Sequence, residues 1–83
     1  MKITTKDGRE FKGTALQIVR QMKEMSFFGA DRTLFEYVEL VIEQTRVHEG
    51  VDLDVFGGEQ TDEEVCVALL DELGRHRLLA VGR

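Results

Sequence analysis

Threonine, two residues, then a side-chain acceptor: the chain writes this three times, at Thr14–Gln17, Thr33–Glu36 and Thr61–Glu64. Each triplet opens a run of apolar residues at helical spacing. In such a capping box the threonine oxygen accepts from a first-turn backbone N–H that has no partner within the helix. The Gln or Glu side chain accepts in turn from the threonine's own N–H. Three helix starts are thus set by local chemistry, and only short segments remain for strands.

The first helix is expected over residues 15–26, with Ala15, Ile18, Val19, Met22 and Met25 on one face and Phe27-Phe28-Gly29 closing it, Gly29 as the cap. The second is expected over 34–49, stopped by Gly50. Its Glu36, Glu39, Glu43 and Arg46 recur at steps of three and four as one solvated stripe. Leu34, Phe35, Val38, Val41, Ile42 and Thr45 form a buried face, and Tyr37, Leu40 and Val47 extend the apolar surface to the other flank. A helix apolar over so much of its circumference is either central in the fold or covered by a second subunit. The third is expected over 62–73, ended by Gly74, with Asp62, Glu63 and Glu64 at the positive end of its dipole.

The strands follow from alternation. Lys2–Thr5 and Arg9–Lys12 flank Lys6-Asp7-Gly8. A three-residue loop with Gly8 left-handed pairs Ile3 with Phe11 on one face, whereas a two-residue loop separates them. Val51-Asp52-Leu53-Asp54-Val55 alternates strictly and is expected as a third strand, and Leu78–Val81 as a fourth. The expected fold class is α+β, one domain over 1–83 in the order ββααβαβ. It comprises an N-terminal hairpin, two further short strands in a four-stranded sheet, and three helices largely on one face. The last strand–helix–strand unit is long enough for a parallel crossover.

Charge is unevenly spread within a net of −5. Residues 1–25 carry six Lys/Arg against three acids, residues 26–74 two against thirteen, and residues 75–83 three against none. The acidic excess opposes general nucleic-acid binding. A recognition helix at 62–73 would meet phosphate with three acids and no cation. A basic patch from Lys2, Lys6, Arg9, Lys12, Arg20 and Lys23 keeps a nucleic-acid contact as the alternative reading. Cations on an outer hairpin also protect an edge strand from aggregation.

The signals for chemistry are weak. From Asp52 to Glu63 the acids at positions one and three, the glycine at six and the glutamate at twelve echo a calcium loop. However, position five is Phe56 and position eight is Glu59. The lone Cys66 lies in an apolar run and reads as a small buried hydrophobe. His48 and His76 have no convergent ligand set, and no nucleophile turn or phosphate loop is present. No catalytic residue, cofactor or metal is expected. With no signal-peptide core and no membrane-length apolar run, the expected location is cytoplasmic.

What remains is a non-enzymatic protein-interaction or regulatory module, expected to self-associate or bind a protein partner and to avoid membranes. Its expected anchors are Phe27, Phe28, Tyr37, Leu40 and Val47, beside the acidic stripe Glu36, Glu39 and Glu43.

Overall fold

The computed structural model describes residues 1–27 and 29–82. In chain order the elements are β1 (Lys2–Thr5), β2 (Glu10–Lys12), α1 (Ala15–Met25), α2 (Leu34–Glu49), α3 (Asp62–Arg75) and β3 (Leu79–Gly82). They form a small compact α+β domain. No helix among the described residues is long and apolar enough to cross a membrane.

All three capping boxes are present. The Thr14, Thr33 and Thr61 N–H groups donate to Gln17, Glu36 and Glu64 Oε1 at 2.9, 3.0 and 3.0 Å, while the three threonine Oγ1 atoms accept from the matching backbone amides at 3.1–3.2 Å. The hairpin register is the one that alternation selects. Ile3 pairs with Phe11, and Gly8 at φ +88 makes the left-handed turn.

The sheet has three antiparallel strands in the order β2-β1-β3, so the expected fourth strand and parallel crossover are absent among the described residues. Residues 51–55 keep the expected alternation of burial, with Leu53 and Val55 inside and Asp52 and Asp54 outside. They form no ladder with any described strand; the Asp54 N–H is taken by the Glu72 carboxylate of α3 instead. Leu53 and Val55 pack instead into the cluster that contains Leu69, Leu70 and Leu73 of α3. Alternation reports which face is buried; it does not report a partner strand.

Ile3, Phe11, Leu79 and Val81 line the inner face of the sheet, and α1 and α3 cover it with Ile18, Val19, Leu69 and Leu70. The third helix, α2, lies on α1 and α3 rather than on the sheet.

Two helix ends differ from the sequence expectation. The cap of α1 is Ser26, not Gly29. Gly29 is buried where the chain passes the Tyr37 ring, and a Cβ there would come within 2.5 Å of Tyr37 Cδ1. Nor does Gly74 end α3. It sits inside the last turn beneath Val81, where a Cβ would approach Val81 Cγ2 to 2.9 Å. The helix closes two residues on, in a Schellman motif: Leu78 N–H donates to Leu73 C=O at 2.9 Å and Arg77 N–H to Gly74 C=O at 3.0 Å.

Arg77 therefore occupies the left-handed position, at φ +60. A side chain there is strained by roughly 1–2 kcal/mol, partly offset by the extra entropy glycine brings to the unfolded chain. Arg77→Gly is expected to stabilise the fold by about 0.5–1 kcal/mol in urea titration; a loss of stability would show that the arginine side chain makes a compensating contact.

Candidate functional site

The outward side of α2 is built by its helical phase. Tyr37, Val38 and Thr45 face α1 and α3 and are buried. Leu40 and Val47 lie on the opposite side with Glu36 and Glu43; Leu40 is half-buried and Val47 is 66% exposed. Phe27, in the entry to α2, is 90% exposed. Tyr37, expected as a surface anchor, is a core residue at 6% exposure, and burial pushes its phenol pKa up. Phe28, expected beside Phe27, lies outside the described residues.

Phe35 corrects the expectation in the other direction. Placed by sequence on the buried face, it is 54% exposed, and its ring stacks on Phe56 with centroids 4.6 Å apart and planes 29° from parallel. The stack joins α2 to the end of the 51–56 segment. A signal for this existed: Phe35 shares its helical phase with Glu39 and Arg46, both exposed.

The acidic stripe is largely occupied within the helix itself. Glu36 is the acceptor of its own capping box, and the Thr33 N–H and hydroxyl hold its pKa below the ordinary value. Glu43 receives Arg46 Nη2 on both oxygens at 2.6 Å, which likewise lowers its pKa. Glu39 is exposed and supplies the remaining acid of the stripe.

The basic set of the alternative reading is also substantially engaged. Lys2 pairs with Glu10 and Arg9 with Asp7, both at 3.3 Å, and Lys23 Nζ donates to the Ala30 carbonyl at 2.8 Å. Asp7 also accepts from the Thr5 hydroxyl, the main reason its pKa lies below the usual range. Lys12 stands opposite Lys2 on the outer face of the sheet, and Lys6 is in the hairpin turn. Arg20 shares a shallow depression of about 250 Å³ with Lys23, Glu24, Arg32 and Leu34.

Two carboxylates of α3, Glu63 and Glu72, tie elements together. Glu63 Oε2 accepts the Leu16 N–H at 3.1 Å, so α3 supplies a negative charge to the first turn of α1, which has no acid of its own. Glu72 is 9% exposed; it accepts the Asp54 N–H at 2.8 Å and Arg75 Nε at 2.7 Å. These bonds, Arg75 first and the Asp54 amide second, hold its pKa below the ordinary carboxylate value. The bonds to the Leu16 and Asp54 amides have no sequence signature, because each donor is a backbone N–H from a distant part of the chain.

The calcium-like spacing resolves into other uses. Phe56 stacks on Phe35, Glu63 binds Leu16, and Asp52 and Asp54 are exposed. Among the described residues no three His, Cys, Asp or Glu side chains gather as metal ligands. Cys66 is fully buried, and desolvation pushes its thiol up to about 11. No family model, curated protein or solved structure matches the chain.

Because the folded-state pKa of Glu72 is depressed, its contribution to stability is complete above the unfolded value near 4.3. That contribution is lost as pH falls through the lower folded value. Urea midpoints of wild type should fall below about pH 4.5. Glu72→Gln should be less stable at pH 7 and show a shallower acid decline, with faster amide exchange at Asp54. An unchanged acid limb in the variant would remove Glu72 from this role.

Proposed function

We infer that the protein is a small non-enzymatic interaction module that self-associates through the outward side of α2. The supporting observation is where large apolar side chains reach solvent. Apart from Met1 and Met25, those exposed among the described residues are Phe27, Phe35, Val47 and Phe56. Two belong to α2, one to its entry, and one stacks on it. Scattered exposed apolar residues need no explanation, but a concentration on one element marks a contact surface.

A second copy is the simplest occupant. An antiparallel pair of α2 helices sets Leu40 of one copy against Val47 of the other, twice, about the twofold axis. Glu43 then lies near the axis, where like charges would repel. Its bidentate pairing with Arg46 neutralises the charge in place. Exposed Glu39 remains at the rim, where charges set orientation and on-rate more than affinity.

Light scattering from micromolar to millimolar protein should show mass rising with concentration. Leu40→Glu and Val47→Glu should each raise the concentration needed for this step by at least about tenfold, equivalent to about 1.4 kcal/mol, with the circular dichroism spectrum unchanged. A wild-type mass that stays monomeric throughout would overturn the reading.

A further inference from the structure

We propose that the free edge of β3 is a second self-association surface, on which β3 of another copy pairs antiparallel about a twofold axis at Ala80. This inference rests on the hydrogen-bond pattern of the sheet and is independent of α2.

The pattern can be read from the ends of the hairpin. Thr5 N–H donates to Arg9 C=O at 2.9 Å, and Gly13 N–H to Met1 C=O at 3.1 Å. Antiparallel ladders alternate between bonded and non-bonded pairs. Met1, Ile3 and Thr5 therefore direct their backbone groups at β2, and Lys2 and Thr4 direct theirs at β3. The partners of Lys2 and Thr4 are Gly82 and Ala80. Leu79 and Val81 consequently point their N–H and C=O groups away from the sheet, and no hydrogen bond fills them from any described residue.

These two residues are self-complementary. Rotation about an axis at Ala80 brings Leu79 opposite Val81 of the second copy and Val81 opposite its Leu79. Both are then bonded pairs, giving four backbone hydrogen bonds and one continuous six-stranded sheet. Ala80 faces Ala80 of the second copy in a non-bonded pair, with Cα atoms about 4.5 Å apart. Ala80 is exposed and small, which suits this close approach.

The two sheet edges are managed differently. The outer edge strand β2 is three residues long and carries Glu10 and Lys12, a short and charged edge of the kind that resists pairing. The other, β3, reads Leu-Ala-Val-Gly, without charge or proline. Space for an incoming strand lies alongside it. Shallow depressions of about 370 and 490 Å³ run past Leu79 and Ala80, and α3 presents only Gly74 and Asp71 there.

A four-residue strand buries less than the roughly 800 Å² per partner of a standard interface, so trapping is the suitable measurement. Ala80→Cys places two thiols across the axis at a Cα separation within the disulfide range. Fully buried Cys66 does not compete. Lys12→Cys, on the same sheet face at the protected edge, is the control. Under mild oxidation at micromolar protein, Ala80→Cys should form disulfide dimer at least about tenfold faster than the control, because pairing raises the thiols to millimolar effective concentration. The same excess should persist in a Leu40→Glu background, which separates this edge from the α2 surface. In unaltered protein, amide exchange at Leu79 and Val81 should slow as concentration rises while Ala80 stays constant. Equal oxidation rates for the two cysteine variants, or Leu79 and Val81 exchange that is independent of concentration, would overturn the proposal.

Discussion

Ile3 has a strand on each side and no exposed surface. With Phe11, Leu79 and Val81 it makes the single apolar face of the sheet; Lys2, Thr4, Glu10, Lys12, Ala80 and Gly82 occupy the reverse. A sheet apolar on one side must be covered from that side alone. Three strands at about 4.8 Å spacing span roughly 10 Å between outer axes, while packed helices stand 8–10 Å apart. Two helices fill such a sheet, and the third must pack on the first two. That is the position of α2. Its inner arc finds cover for Tyr37, Val38 and Thr45, and its outer arc, with Val47, finds none. The surface assigned to self-association thus follows from the narrowness of the sheet.

Features whose chemistry is complete within four residues were legible in the sequence. The capping boxes need only Thr and an acceptor three positions on, and all three formed. The register of β1 and β2 was legible for a related reason: Ile3 and Phe11 can share a face in only one loop length. The left-handed cap at Gly50, φ +67, belongs to the same class. What sequence could not distinguish was a glycine that ends a helix from one that permits close approach. Gly29 and Gly74 both resemble stops, yet each lies where another side chain, Tyr37 or Val81, leaves no room for a Cβ. Those neighbours lie eight and seven positions on, in the next element along the chain, and so outside the helical pattern that each glycine interrupts.

The candidate surface was legible in part. Val47 and Leu40 were placed on the outer flank by phase alone. Tyr37 was assigned to that flank with them, whereas its phase follows Val38 and Val41 closely enough to bury it. Phe35 was assigned to the buried face, against its phase. Aromatic residues near the boundary of a helical stripe are settled by what packs beside them. The ring beside Phe35 is Phe56, twenty-one positions away and outside any helical pattern. The acidic stripe shows a related limit: spacing identifies a solvated face but not that Glu36 and Glu43 already have partners on their own helix.

The segment 51–55 connects these observations. Its alternation would suit a fourth strand, and a strand laid beside β3 would have satisfied Leu79 and Val81 and closed the exposed edge. Instead Glu72 accepts the Asp54 amide while Arg75 braces the same carboxylate, and Leu53 and Val55 enter the core at α3. Those bonds commit the segment to the helical layer. They satisfy a backbone donor that would otherwise need a ladder, so the chain loses little by leaving the sheet at three strands. The consequence falls on β3, whose outward groups have no described partner within the chain. An uncharged, unpaired edge is a liability in a monomer and an asset in an assembly. Charge guards the β2 edge and is missing from β3, so protection against pairing is confined to one edge of the sheet.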